Sequence, residues 1–511
     1  MQNVDIAKGR LLRNVGSNIL VVIVNTLSGI WLTRYLIEQL GLAVYGMVPL
    51  VVVIVSYFNP VTQAISSTVG RFIGVHLGKG DNEGSNIYFS TAFFTLLALC
   101  GLILLPAIAI TIFLPKLFQI PAGYEVEACW LFAFVASFSI ISSVNTPFLA
   151  VLLVKHRFYL SSFVNVGAKL FQIGIIVVCF TLLAVSVKYV GMSYFGMALF
   201  TIVCSVPIAR YLAPQLHIQR GLFKWFALCK MGVMGAWTMI NQVGAKLYLS
   251  IDMVVINLFL GSAEVGRYYP FVLLAHLLDL LGSAVSHVFT PIAYEYVSQS
   301  KMDELTRQTK RSIKFLALIM SLPAGLLCGL SVPVLTRWLG PSFAAFSLLA
   351  WLLIGPRIIT FVIRPVFAVN QGLNKVKVPS IVTVIGGLTN LAVSILLVRY
   401  TNLGLYGVAL ATAVCLTGKN LLFTPIYGAI ILGSSKKTFF SGIMISLLLF
   451  GTVSLTGLTM SRIYDLATIP RLAGSSLLIS FVYSLVCYWL VLNKEDRVFL
   501  WSLVRKSEVG L

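Results

Sequence analysis

LGLAVYG at Leu40–Gly46 returns as LGSAEVG at Leu260–Gly266, with leucine, glycine, alanine and glycine in register. Each copy stands between two apolar runs. Further along, Pro147, Ala150, Ser162 and Val164 match Pro365, Ala368, Ser380 and Val382, and Gly196, Ala198, Leu199 and Thr201 match Gly407, Ala409, Leu410 and Thr412. Correspondences in one order at nearly one spacing mark an internal duplication of roughly 215 residues.

What is duplicated is apolar. With 511 residues, 59% hydrophobic, 10% charged and a mean hydropathy of +0.95, the chain is too apolar for a soluble domain and reads as an all-α polytopic membrane protein. About 20 apolar residues suffice for one crossing. On that basis helices are expected near 15–36, 44–72, 87–113, 125–154, 159–184 and 190–212, then 231–260, 267–297, 313–336, 343–370, 379–399 and 405–432, and last 439–460 and 470–492. These fourteen or so helices form two pseudo-symmetric six-helix bundles, 1–220 and 221–435, followed by two extra helices and a tail, 436–511. Six is even, so both halves start on one side of the bilayer and are related by an axis along its normal. The run after Lys8, Arg10 and Arg13 is too long for a signal peptide and is expected to stay as the first helix. Pro60 marks a hinge in the second.

The net charge of +21 is spread over loop ends and spans without an aromatic-interleaved patch, which argues against nucleic acid. Most lysines and arginines, among them Lys8, Arg10, Arg13, Arg505 and Lys506, fall in segments on the side of the N-terminus. That bias places both termini in the cytoplasm. The eight cysteines are single and lie in apolar runs, with no metal-ligand spacing, so no disulfide, metal or cofactor is expected.

Seven charges stand inside spans: Lys169, Lys246, Arg357, Arg364, Lys419, Asp252 and Asp279. One charge at the centre of a lipid-facing helix costs roughly 2.5–3.5 kcal/mol, so seven would cost on the order of 20 kcal/mol. They must face a watery cavity or one another. Polar neighbours fall on single helical faces, with Asn25 on the first helix, Asn59 and Gln63 on the second, Asn165 and Lys169 on the fifth, and Gln242 and Lys246 on the seventh. Such stripes line a cleft between the halves or hold the bundle together by hydrogen bonds. Arg357 and Arg364, seven residues apart, share a face with no acid in their own helix, whereas Lys246 has Asp252 and Asp279 as candidate counter-ions. Five cations against two anions favour an anionic ligand, and guanidinium forks fit phosphate oxygens. His276 and Asp279, one turn apart, are candidates for carrying a coupling proton, and Asp252 or Asp279 for holding Na+.

The halves, the two trailing helices, LGLAVYG, and the helices beginning GMALFTIV at Gly196 and GVALATAV at Gly407 resemble the polysaccharide flippases of the multidrug, oligosaccharidyl-lipid and polysaccharide exporter superfamily. The resemblance implies a monomeric, non-enzymatic carrier that moves undecaprenyl-pyrophosphate-linked oligosaccharide, such as an O-antigen unit of lipopolysaccharide, between leaflets by alternating access. It would be coupled to H+ or Na+ and work beside a polymerase and glycosyltransferases of one pathway. The substrate-binding set is then Arg357, Arg364, Lys246, Lys169, Lys419, Asn25, Asn59, Gln63 and Gln242, with Asp252, Asp279 and His276 for ion coupling. Multidrug exporters of the superfamily often carry an acid in the first helix, and none lies between Asp5 and Glu38. Lipid II flippases use arginines in the first, second and eighth helices, where this chain has amides apart from Arg13 and Arg71 at the ends. The alternatives are a cation-coupled multidrug exporter and, from another class, a membrane glycosyltransferase or polymerase. The short outer loops and the absence of any nucleophile, metal or phosphate-loop motif argue against catalysis.

Overall fold

The structure, a computed structural model, describes residues 2–155, 157–287, 289–466, 468–494 and 496–497, with side chains from Gly16 onward apart from Asn18 and His287. Lys8, Arg10, Arg13, Arg505 and Lys506 therefore lie outside the described side chains, and the charge bias stands on sequence alone.

Among the described residues every regular element is helical. In chain order they are α1 Gln2–Ser56, α2 Asn59–Gly78, α3 Asn82–Leu117, α4 Glu125–Val154, α5 Phe158–Leu182, α6 Val187–Leu212 and α7 Trp225–Leu249. Then come α8 Ile251–Leu260, α9 Ser262–His287, α10 Thr290–Ser298, α11 Met302–Gly329, α12 Ser331–Leu339, α13 Ser347–Ile354, α14 Arg357–Val362 and α15 Arg364–Gly372. The last are α16 Lys377–Tyr400, α17 Leu405–Thr417, α18 Thr424–Ile431, α19 Phe440–Ile463 and α20 Ile469–Val486.

Among the described residues, thirteen stretches are long and apolar enough to cross a membrane. The first, Ile19–Ser56, has 38 residues, or about 57 Å of helix at 1.5 Å per residue, nearly twice a hydrocarbon core of about 30 Å. It is two crossings, because Gly41 breaks it at φ 75° and ψ 162°. Fourteen crossings result among the described residues, in line with the expectation of about fourteen. Gly261, the equivalent residue, separates α8 from α9 at φ 95° and ψ 171°. That region of backbone space is open essentially to glycine alone, which is why both motif copies carry one. The second crossing bends where α1 gives way to α2 at Tyr57 and Phe58, just ahead of Pro60.

Apolar residues fill the core and also cover the outside. On α3, Ser85, Ser90 and Thr91 are buried while Leu97, Leu102, Leu105, Ile108 and Ile112 are exposed. Lipid is as apolar as leucine, so hydroxyl groups gain from turning inward to hydrogen-bond partners and aliphatic side chains lose nothing by facing out.

The chain forms two compact units, Met1–Leu273 with Val376–Cys415 and Leu274–Lys375 with Leu416–Leu511. This partition follows packing, whereas the one at residues 220 and 435 follows the repeat. In the first unit Ile65, Val69 and Ile73 of α2 pack with Tyr88, Phe89, Phe148, Val151 and Met231. In the second, α11 meets α19 through small residues, Gly325 against Val453 and Gly329 against the carbonyl of Ser454, the close approach that holds helices together without a hydrophobic driving force.

Candidate functional site

In the second unit, α9, α14 and α15 gather three in-span charges. Gly355, Pro356 and Pro365 interrupt what would be one long helix, so Arg357 and Arg364 each open a short segment. Both turn to α9. Arg364 Nη2 donates to Asp279 Oδ1 at 2.9 Å, and Arg357 Nε stands 3.7 Å from Asp279 Oδ2. Arg364 also donates to Ser283 Oγ, one turn beyond Asp279, and Arg357 Nη1 to the carbonyl of Leu353 at 2.7 Å. The expectation of unneutralised arginines needs this correction: an acid missing from their own helix is supplied by its neighbour. Two guanidinium groups share one carboxylate, so the cluster keeps a positive charge, and Nε of each is buried without a hydrogen-bond partner. Arg357 is the deeper, with a side chain 5% exposed against 19% for Arg364.

Lys419 joins this region. It lies on the π-helical turn Gly418–Phe423 that links α17 and α18, with its ammonium 5.9 Å from the centre of the Phe367 ring on α15. Beside it, Asn420 Nδ2 donates to Thr360 Oγ1 of α14 at 2.7 Å.

The first unit holds the other set. Asp252, 4% exposed, accepts from the Tyr268 hydroxyl at 2.8 Å. Thr412 Oγ1 lies 3.0 Å from both of its carboxylate oxygens and 3.2 Å from Asn390 Oδ1. Asn390 is oriented by its own amide, which donates to the carbonyl of Leu247 at 3.3 Å. A threonine hydroxyl has one proton and cannot serve three acceptors. The oxygens of Asp252, Asn390 and Thr412 thus form a nest that a proton on the carboxylate or a small cation would relieve. Asn390, Tyr268 and Thr412 were not foreseen as partners, although Thr412 lies in the repeated GVALATAV segment.

Lys246 Nζ donates to Ser56 Oγ at 2.9 Å, and the Tyr57 hydroxyl to the Lys246 carbonyl at 3.3 Å. The lysine thus spans from α7 to the bend of the second crossing instead of taking either expected carboxylate as its hydrogen-bond acceptor. Lys169 Nζ donates to Gln172 Oε1 at 2.8 Å within α5. Asn25 and Asn59 are exposed along with Asn165 and Asn241, Gln63 and Gln242 are half-buried, and Asn59 Oδ1 accepts from Ser139 Oγ at 2.9 Å. His276 is exposed on α9. No group of three histidine, cysteine or carboxylate side chains fit to hold a metal occurs among the described residues.

A membrane-embedded helical protein, with about fourteen crossings among the described residues and a partly buried cluster of charges, is the class this fold defines, and comparison narrows it. No family model matches the chain. It is 28% identical over 497 residues to the "Uncharacterized membrane protein EpsK" of Bacillus subtilis (strain 168), spanning 97% of this chain and 98% of that one. The lipid II flippase MurJ in an inward closed conformation superposes with a TM-score of 0.64 at 13% identity, over 94% of this chain and 99% of MurJ. An inward-facing multidrug resistance MATE family transporter of the MOP superfamily gives 0.61 at 18% identity, over 84% and 96%. The chain has the fold of the MOP-superfamily transporters.

Proposed function

We propose that the chain is a non-enzymatic flippase that carries undecaprenyl-pyrophosphate-linked oligosaccharide, the repeat unit of O-antigen or another surface polysaccharide, across the cytoplasmic membrane by alternating access. The observation that carries this reading is the pair of arginines on Asp279. A carboxylate is a weak substitute for a diphosphate, which offers more oxygens and more charge to the same guanidinium forks. In this reading the headgroup takes Arg364 and then Arg357 from Asp279, with Lys419, Lys246 and Lys169 adding point charge along the route.

Asn25, Asn59, Gln63 and Gln242 serve the sugars. An amide facing hydrocarbon without a partner costs several kcal/mol, so exposed Asn25, Asn165 and Asn241 within α1, α5 and α7 support a wet surface. Asp252, with Asn390, Thr412 and Tyr268, takes the coupling Na+ or H+. Asp279 was the other candidate for that role, with His276 beside it, and its commitment to two arginines favours Asp252. The two six-helix bundles at residues 1–220 and 221–435 alternate access, the two last helices attend the lipid tail, and the chain works as a monomer with both termini cytoplasmic, beside the polymerase and glycosyltransferases of its pathway.

The test is the double variant Arg357→Ala with Arg364→Ala. Lipid-linked repeat units should build up on the cytoplasmic side, and normal surface polymer would reject the assignment. The likeness to a multidrug transporter favours a second reading, a cation-coupled drug exporter. That reading predicts drug resistance on overexpression, lost in Asp252→Asn.

A further inference from the structure

Arg307, Lys310, Arg311 and Lys314 follow one another on α11 at the spacing of a single helical face. Like charges at such spacings repel, by a few tenths of a kcal/mol per pair, so the stripe calls for an anion. One is present. Asp496, in the segment after the last helix, lies 2.7 Å from Lys314 Nζ and 3.3 Å from Arg311 Nε, with its side chain only 10% exposed. A turn holds it there: the Asn493 backbone amide donates to Asp496 Oδ2 at 3.4 Å and Arg497 Nε to the Leu492 carbonyl at 3.1 Å.

Around this pair opens a cavity of about 510 Å³ between α11, the start of α19 and the C-terminal segment. All four cations line it, against two carboxylates, Glu304 and Asp496. Its remaining wall includes half-buried Ile445 of α19 and the buried Ile313 and Phe439, so apolar side chains adjoin the positive ones at the charged end of a membrane helix. Arg307 and Lys310 are exposed and lie outside the Asp496 pairs.

We propose that this cavity is a binding site for the phosphate of an acidic phospholipid headgroup, and that Asp496 is an internal anion competing for it. Basic pockets between membrane helices at the lipid interface suit such headgroups, and a carboxylate already held by two of the cations shows that the place accepts an oxyanion. Ile445 gives the acyl glycerol end of a lipid an apolar side chain to lie against, which inorganic phosphate would not use. Bound lipid would loosen the C-terminal segment from α11, so lipid composition would set how firmly that segment is docked.

The experiment titrates the full chain in neutral detergent with short-chain phosphatidylglycerol, with phosphatidylcholine and with inorganic phosphate, reading the thermal midpoint, since a ligand of the folded state raises it. Phosphatidylglycerol should raise the midpoint and phosphatidylcholine should not. Arg307→Gln with Lys310→Gln, at exposed positions that leave the Asp496 pairs in place, should weaken half-saturation about 25-fold, at about fivefold per cation near a lipid surface. Asp496→Asn should strengthen it about fivefold by the same reasoning, with its lipid-free midpoint recorded to show that it folds. An equal response to phosphatidylcholine, an unchanged half-saturation in the double variant, or weaker binding in Asp496→Asn would each overturn the proposal. A response to inorganic phosphate with none to phosphatidylglycerol would overturn the lipid assignment.

Discussion

Gly46 and Gly266, equivalent residues of the two motif copies, pack backbone against backbone: a methyl group on Gly46 would strike the Ser262 carbonyl, and one on Gly266 the carbonyl of Leu42. Ser262 Oγ donates to the Ala43 carbonyl at 2.7 Å across the same contact. The repeated motif is therefore one half of a contact whose other half is its own copy. Gly46→Ala should lower stability by about 1–3 kcal/mol, the usual cost of overpacking a tight contact, and Gly266→Ala should do the same. Thermal unfolding in detergent checks it, with Gly16→Ala, where a methyl group meets nothing, as the control that carries only the helix-propensity gain of alanine over glycine.

This contact shows what was legible in the sequence and what was not. Periodic apolar runs and the offset of LGLAVYG and LGSAEVG gave the crossings, because hydropathy and glycine at a fixed place report directly on membrane thickness and on φ. Partners across helices left no such trace. That Asp279 would reach Arg357 and Arg364, 78 and 85 residues away, depends on how α9 packs on α14 and α15, and a list of charges cannot fix that. Asp252 stood out as an acid in a span, yet Tyr268, Asn390 and Thr412 did not, since hydroxyl and amide side chains are common in membrane helices for packing alone.

Asp279 is expected to matter more to stability than either arginine. Asp279→Ala would leave two guanidinium groups in a partly buried site without their shared counter-ion, and breaking a buried ion pair from one side costs up to about 3–5 kcal/mol. Adding Arg364→Gln should recover part of that loss, because one of the stranded charges is then gone. Thermal midpoints of the single and double variants form the cycle. Purely additive losses would mean that the ion pair is not the source.

Outside the membrane, Asp81 gives a pH-dependent handle. It caps α3 by accepting from Gly84 N at 2.8 Å, and the His76 ring stands 2.7 Å away. The bond from Gly84 first, and then His76, hold its carboxyl below the ordinary carboxylate range. A depressed folded-state value means that the cap is fully present above the unfolded pKa of about 3.9 and is lost as the pH falls through the folded value. Hydrogen exchange at the first turn of α3 should therefore be steady from neutral pH to about pH 4, once the intrinsic exchange rate is divided out, and should quicken in stronger acid. In Asp81→Ala that acid-dependent step should disappear.

The last prediction separates coupling from cargo. Asp252→Asn keeps an oxygen that can accept from Tyr268 and Thr412 but removes the charge that would hold a cation or proton, so the fold should survive. On the proposed function, transport should then lose its dependence on the ion gradient while binding of the anionic headgroup, assigned there to Arg357 and Arg364, stays near the original level. Thr412→Val tests the nest without touching the charge. It deletes one oxygen of the set and should raise the ion concentration for half-maximal transport by about tenfold, equivalent to about 1.4 kcal/mol. Ion-dependent uptake into proteoliposomes reads both effects. If Asp252→Asn abolished headgroup binding and left ion dependence intact, the roles assigned to the two clusters would have to be exchanged.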